Sequence, residues 1–295
     1  MEAQDPFSSK GVMDSLDFLS EYSHLGPASS CVGEALQEVR AYLQRSESGF
    51  FFEMEARLGT LSDRGYVSDV GQETFTTLLT MLESYPRWHH VSGWVESQDV
   101  FYMIDLPTGP EGKVTQAEVR TTVGLDAEKK ITLNHCIKRK LRVLDLRVVT
   151  LGSCNESSYL PALQETLNGP LNPRVSFSVE QSVPPELLPI AVVPTRVRIK
   201  QRKRFFITSL GVERPAFSVD MTIVYSGKSK SEAEQSQAAA KDAVYEVEVE
   251  CLEPLAYLQS CNHQEQMLAL SLLLKLHDFV SFLNPQTPIT FARAR

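Results

Sequence analysis

The stretch FFFEMEARLG, residues 50–59, decides how the chain is read. Residues two apart on a strand share a face, so Glu53, Glu55 and Arg57 project together while Phe52, Met54, Ala56 and Leu58 project to the other side. A second stretch, VYEVEVE at 244–250, repeats the arrangement with Glu246, Glu248 and Glu250 on one face and Tyr245, Val247 and Val249 on the other. Carboxylates neighbouring on such a stripe stand about 6.7 Å apart, which at an effective dielectric of about 20 means ~2.5 kcal/mol of repulsion per pair. Solvation or positive charge must offset it.

Positive charge is present on two further strands. In TRVRIKQRKRFF (195–206), Arg196, Arg198, Lys200, Arg202 and Arg204 fall on one face. In ITLNHCIKRKLRVLDL (131–146), Lys138, Lys140 and Arg142 share a face, opposite Ile131, Leu133, Ile137, Leu141 and Val143. Polar stripes recur as Glu118, Arg120 and Thr122, as Arg174, Ser176, Ser178, Glu180 and Ser182, and as Ser218, Asp220 and Thr222. If the sheet curls shut with these faces inward, the lumen is a polar tunnel and the apolar faces look outward, the reverse of a small barrel with a packed apolar interior. Two explanations fit such a lumen. Its charges neutralise one another, or its carboxylates hold a hard divalent cation and its cations hold a polyanion.

The rest of the chain suits this scaffold. Eight candidate strands lie near 50–60, 98–106, 115–123, 131–148, 173–183, 195–208, 216–225 and 243–252, a mainly β, α+β architecture of antiparallel strands. Loops are expected at 107–112, 124–130, 152–173, 184–194 and 211–215, and 226–241 (SGKSKSEAEQSQAAAK) reads as a flexible loop or short solvated helix. Val32, Leu36, Val39 and Leu43 carry helical spacing within 28–45, a second helix is expected over 73–85 before Pro86, and helical spacing returns over 255–283. These helices are expected outside the tunnel, and 1–295 reads as one domain. Five cysteines without a C-x-x-C pair argue against a disulfide framework and a zinc ribbon. The first residues are acidic and lack a continuous apolar run, so no secretory leader is expected. The most apolar stretch, Met267 to Leu274, is interrupted by Ser271 and followed by Lys275, and reads as a core-facing helix rather than a membrane span. A net charge of −8 disfavours nonspecific nucleic-acid binding over the whole surface, while leaving a local basic site open.

FEMEARLG and YEVEVE, about 190 residues apart with an R-x-K-x-R strand between them, resemble the two glutamate motifs of the metal-dependent RNA 5′-triphosphatases of mRNA capping in fungi and protozoa, within the triphosphate tunnel metalloenzyme superfamily. The resemblance covers residues 50–252 and implies an eight-stranded antiparallel tunnel. It implies that Glu53, Glu55 and Glu250 contact Mg²⁺ or Mn²⁺, with Glu246 and Glu248 completing the acidic cluster partly through water. It further implies that Arg198, Lys200, Arg202, Arg120 in EVRTTV and Lys138 grip the phosphates, that Glu180 in VSFSVEQSVP orients or deprotonates the attacking water, and that Asp220 and Thr222 in VDMTIV support the site. Leu58 stands where the family has a phenylalanine, and Ser218 where it has an arginine; Arg196, Arg204 or Lys140 could supply the missing cation. The implied substrate is a 5′-triphosphate RNA end, the implied partner a capping guanylyltransferase, and nuclear location would follow from that role.

Two other functions compete. A tunnel hydrolase of the same superfamily could act on tripolyphosphate, free nucleotides or thiamine triphosphate. A noncatalytic RNA-binding β-barrel would need aromatic residues interleaved with the basic ones, whereas 196–204 interleaves Val197, Ile199 and Gln201. His89 and His90 beside Trp88 and Trp94 have no spaced carboxylate partner, and His135 falls on the apolar side of its strand, so no metal role is expected of them. Arg139, Lys203 and Arg204 read as solvated or salt-bridged, and Glu118 as the partner of an inward cation.

Overall fold

The computed structural model describes residues 23–45, 49–108, 113–125, 131–151, 163–166, 171–188, 193–208, 215–260, 264–286 and 288–294. Twelve strands run in chain order: β1 (Phe50–Ser62), β2 (Gly65–Val67), β3 (His90–Val91), β4 (Val95–Thr108), β5 (Lys113–Leu125), β6 (Ile131–Leu151), β7 (Leu163–Thr166), β8 (Asn172–Ser182), β9 (Arg196–Thr208), β10 (Pro215–Gly227), β11 (Val244–Cys251) and β12 (Ile289–Arg293). Helices are α1 (Gly26–Leu43), α2 (Gln72–Ser84), α3 (Lys230–Ala238), α4 (Pro254–Ser260) and α5 (Gln264–Leu283), with short 3₁₀ turns at Ser23–Leu25 and Pro185–Leu187.

Eight strands pair in the order β10-β11-β1-β8-β6-β5-β4-β9, and β9 pairs back onto β10, so the sheet closes. Every pairing in the ring is antiparallel. These are the eight strands expected from the period-two pattern. Four short strands were not anticipated: β2 folds back on β1, β3 pairs β9, and β7 and β12 pair β6 outside the ring. β7 falls inside the expected loop 152–173, most of which lies outside the described residues.

The apolar faces point outward, as the inverted pattern requires. Phe52, Met54, Ala56 and Leu58 of β1, Phe177 of β8, Val219 and Met221 of β10, and Val247 and Val249 of β11 are all at most 1% exposed. They join α1 and α5 in one cluster with Leu36, Leu272, Leu276 and Phe279. Helices α1 and α5 are tied by an Arg40–Glu265 ion pair at 2.5 Å. α5 is the one helix among the described residues long and apolar enough to cross a membrane by length and composition. Its buried leucines face this cluster, and its Lys275 ammonium lies 4.2 Å from the centre of the Phe217 ring. The segment 226–241 forms α3, capped by the Ser229 hydroxyl accepting from the Glu232 amide at 3.2 Å. Its Ala233 covers Val100, Val197 and Ile199 on another outer sector.

One expectation fails within β6. A register shift between Lys140 and Arg142 brings Arg142 opposite Phe177 and so turns it outward, where its Nε lies 3.6 Å from Glu38 of α1. Val143 takes the inner side opposite Ser176. A β-bulge adds one residue and exchanges the faces beyond it, which is why Leu144, Leu146 and Val148 are buried in the outer core.

Gly59 sits where β1 leaves the ring to meet β2, and a Cβ there would stand 2.2 Å from the Val67 carbonyl oxygen and 2.9 Å from Ser68 Cα. Both neighbours are backbone. Gly59→Ala is therefore expected to destabilise the protein by about 2 kcal/mol, read as a lower denaturation midpoint in urea.

Candidate active site

The ring encloses a cavity of about 490 Å³. Its lining includes seven carboxylates (Glu53, Glu55, Asp99, Glu180, Glu246, Glu248, Glu250) and seven cations (Arg57, Arg120, Lys138, Arg198, Lys200, Arg202, Arg204). The acidic wall comes from β1 and β11, whose register sets Glu55 opposite Glu250 and Arg57 opposite Glu248. Alternation on both strands then turns all these side chains inward while their neighbours enter the outer core. The basic wall comes from β9, and Arg120 of β5 and Lys138 of β6 add cations further round the ring.

Within the lumen each charge finds an opposite one. Arg57 Nε is 2.8 Å from Glu248, and its other end is 3.4 Å from Glu55. Lys138 pairs with Glu53 and stands 3.5 Å from Glu55. Arg198 donates to Glu246 at 2.8 Å, Arg120 donates to Glu180 at 2.6 Å, and Lys200 pairs with Asp99. Arg202 donates to Asp220 at 3.0 Å and to the Thr222 hydroxyl at 3.1 Å, and approaches Glu248 at 3.8 Å. Asp220 and Thr222 are fully buried on β10, between the basic β9 and the acidic β11, and hold Arg202 rather than lining the cavity.

The inward charges perturb one another. Burial favours neutral Glu248, but Arg57 and Arg202 outweigh it and draw its pKa down to about 2. Glu250 goes the other way: burial, reinforced by the Asp220 and Glu53 carboxylates, pushes it up to about 7 despite Arg204. Burial pulls Lys200 down to about 8, helped by the nearby Arg202 and Arg198 charges and only partly countered by Asp99. Lys138 is also desolvated, yet Glu55 and Glu53 raise it above its ordinary value. Asp99 is held below the usual carboxylate range because Lys200 outweighs its burial.

Every residue singled out for metal or phosphate from the sequence, Asp220 and Thr222 apart, lines this one cavity. Of the cations considered for the place left by Ser218, Arg204 is the one that reaches it: it donates to Asp220 at 2.9 Å and lies 3.3 Å from Glu250. The Ser218 hydroxyl donates to the other Asp220 oxygen at 2.8 Å. Lys140 is exposed. Arg196 lies over the Phe101 ring at 4.1 Å and 3.9 Å from Glu118, Arg196 and Glu118 both being half-exposed. Arg57 and Asp99 carry lumen charges that went unassigned. Arg57 shares the Glu53 stripe and was legible; Asp99, in VESQDVFY, has Glu96 on the opposite face and no charged neighbour of its own parity closer than Asp105. His135 hydrogen-bonds the Thr121 hydroxyl at 2.8 Å, Lys203 is bound outward to Glu83 at 2.6 Å, and His90 stacks on Phe206.

Among the described residues no three His, Cys, Asp or Glu side chains converge as a formed metal site, because the carboxylates are turned toward lysine and arginine partners. Their chemistry nonetheless fits a hard cation. The donors are all carboxylate oxygens, and Glu250, opposite Glu55, is pushed up to about 7 by burial and adjoining anions that a cation would relieve.

No protein-family model matches the chain, and no curated protein matches it in sequence. Solved structures do match in shape. The S. pombe Pct1 RNA triphosphatase in complex with the Spt5 CTD aligns at a TM-score of 0.50 and 14% identity, over 88% of this chain and 91% of that one. The same S. pombe enzyme without the CTD gives 0.48 and 14% over 86% and 90%, and the RNA triphosphatase domain of a trifunctional mimivirus mRNA capping enzyme gives 0.42 and 11% over 82% and 95%. The chain is thus similar in fold to the tunnel-type RNA triphosphatases, sharing their closed antiparallel ring of eight strands.

Proposed function

We propose that this chain is a polynucleotide 5′-triphosphatase that hydrolyses the γ-phosphate of triphosphate-ended RNA, the first step of mRNA cap formation, with Mg²⁺ or Mn²⁺ as cofactor. One observation carries the reading: an acidic wall and a basic wall border one and the same cavity of about 490 Å³. Burying charges in pairs contributes little net stability, since desolvation cancels most of the attraction. A lumen that served only to neutralise itself would have no use for the space between its walls, whereas a triphosphate with a cation fills it.

Glu53, Glu55 and Glu250 would hold the metal, with Glu246 and Glu248 completing the acidic field; when bound, the cation supplies charge neutralisation at the γ-phosphoryl oxygens. Arg120, Lys138, Arg198, Lys200 and Arg202 clamp the phosphate chain, exchanging their carboxylate partners for phosphoryl oxygens. Asp220 and Thr222 fix the Arg202 guanidinium so that its free edge stays aimed into the lumen. Glu180, anchored through one oxygen by Arg120, uses the other to orient a water in line with the γ-phosphorus. The water oxygen bonds to phosphorus as the bond to the β-phosphate oxygen breaks, its proton passing to the Glu180 carboxylate and the diphosphate end leaving within the cationic clamp. Preorganised charge provides most of the acceleration. The deciding experiment is phosphate release from triphosphate-ended RNA, inorganic tripolyphosphate and ATP, each with Mg²⁺, with Mn²⁺ and with chelator. Metal-dependent release from RNA is expected. Release only from tripolyphosphate or ATP would replace the RNA reading with another hydrolase of the same fold, and binding without release would leave an RNA-binding barrel. In this role the chain acts ahead of a capping guanylyltransferase, in the nucleus.

The lowered pKa of Lys200 makes a pH prediction. A group with a pKa of about 8 is cationic below that pH and neutral above it. The clamp therefore loses a charge from the free enzyme as pH rises, and kcat/KM is expected to fall beyond about pH 8. Lys200→Arg should remove that alkaline limb between pH 7 and 9.5 in initial-rate profiles. A limb that persists in the arginine variant would assign it to another group.

A further inference from the structure

The rim of the tunnel carries apolar surface that the phosphate chemistry does not use. Phe51 begins the inward row of β1 two residues before Glu53, and its ring lines the same cavity. It is 52% exposed, whereas Phe52 beside it, on the outward face, is 1% exposed. Val95, the first residue of β4, also lines the cavity and is 45% exposed. β1 and β4 are four strands apart in either direction round the eight-stranded ring, so these two side chains face each other across the opening. The buried members of the lining, Glu246 and Glu248, lie further along the lumen. Phosphates gripped by Arg202 and Lys200 thus leave the rest of the molecule an exit past Phe51 and Val95.

We infer that Phe51 is a stacking platform for the first nucleobase of the RNA whose triphosphate occupies the lumen, with Val95 closing the opposite side of the slot. This rests on the RNA triphosphatase reading and deepens it by naming what selects a nucleoside-bearing end over an inorganic polyphosphate. A phenyl ring offers a π-face and no hydrogen-bonding group, and every base presents a π-face, so the contact recognises the presence of a base without reading its identity. An aromatic side chain left half in water beside a polyanion site is the arrangement such a contact needs. It also matches a substrate end whose first base varies.

The test removes each side of the contact in turn. kcat/KM for γ-phosphate release is measured for wild type and Phe51→Ala on a short triphosphate-ended RNA and on the same RNA with an abasic first nucleotide. Loss of the base is expected to cost the wild type about tenfold and Phe51→Ala almost nothing, the non-additivity that marks a direct contact. Phe51→Trp should keep the discrimination and Phe51→Leu should lose it, which separates stacking from packing. Binding of an RNA with a β,γ-methylene triphosphate and 2-aminopurine as first base should quench its fluorescence in wild type and not in Phe51→Ala. Equal base-removal costs in the two proteins, or no quenching by the wild type, overturn the inference. Phosphate release from tripolyphosphate but not from RNA would instead remove the RNA reading itself, and the stacking role with it.

Discussion

Glu248→Gln is expected to lower γ-phosphate release from triphosphate-ended RNA by a factor on the order of a thousand, about 4 kcal/mol of lost transition-state stabilisation. Glu248 is 5% exposed, sits opposite Arg57 of β1 and Asp220 of β10, and touches both Arg57 and Arg202. Glutamine keeps the shape and removes the charge. Two guanidiniums on opposite walls then lose their common anion, and both the acidic field for the cation and the aim of Arg202 change together. The depressed pKa also makes Glu248 a stability element: its contribution is full above the ordinary carboxylate range near pH 4.5 and is lost as pH falls through about 2. The variant is therefore expected to unfold at lower denaturant than wild type at pH 7, with the difference shrinking toward pH 2. Single-turnover phosphate release, on protein shown by circular dichroism to be folded, measures the first effect. Activity near wild type in that folded protein would take Glu248 out of the reaction.

The second large effect belongs to the outer surface of the ring. Phe177 is fully buried against the helices, with Phe52 and Met54 of the adjoining strand in the same cluster. Phe177→Ala should cost about 3–5 kcal/mol, combining lost apolar burial with the cavity left behind. The next residue, Ser178, points inward and donates to Glu53 at 2.9 Å. Ser178→Ala should cost about 1 kcal/mol of stability while weakening the acidic cluster. Adjacent substitutions on one strand thus separate stability from activity. A thermal-denaturation comparison in which Ser178→Ala destabilises as much as Phe177→Ala would contradict a ring whose packed core lies outside.

Much of this was legible along the chain. Alternation in FFFEMEARLG, VYEVEVE and TRVRIKQRKRFF assigns each side chain to one of two faces, and only a closed ring gives the charged face an enclosed place to go. β-bulges are less visible. The apolar parity of 131–146 changes after Leu141, from Ile137 and Leu141 to Leu144 and Leu146, and that change is the local trace of the register shift that turns Arg142 out. Asp99 and Arg204 were harder, because one is an acid isolated on its face and the other stands at the end of a row whose inner limit depends on where neighbouring strands stop. Phe51 has the parity of Glu53, so alternation alone puts it in the inward row; that its ring stands half in water is decided by where the strands of the ring end.

Period-two patterning is a property of the backbone itself, so the strands, their inward rows and the charge of the lumen follow from residue order alone. Which cation meets which carboxylate is a property of register between strands far apart in the chain. Glu55 faces Glu250 and Arg204 takes up Asp220 only because β1, β9, β10 and β11 close at particular offsets. Those offsets are set by packing on the outside of the ring, which no single strand encodes.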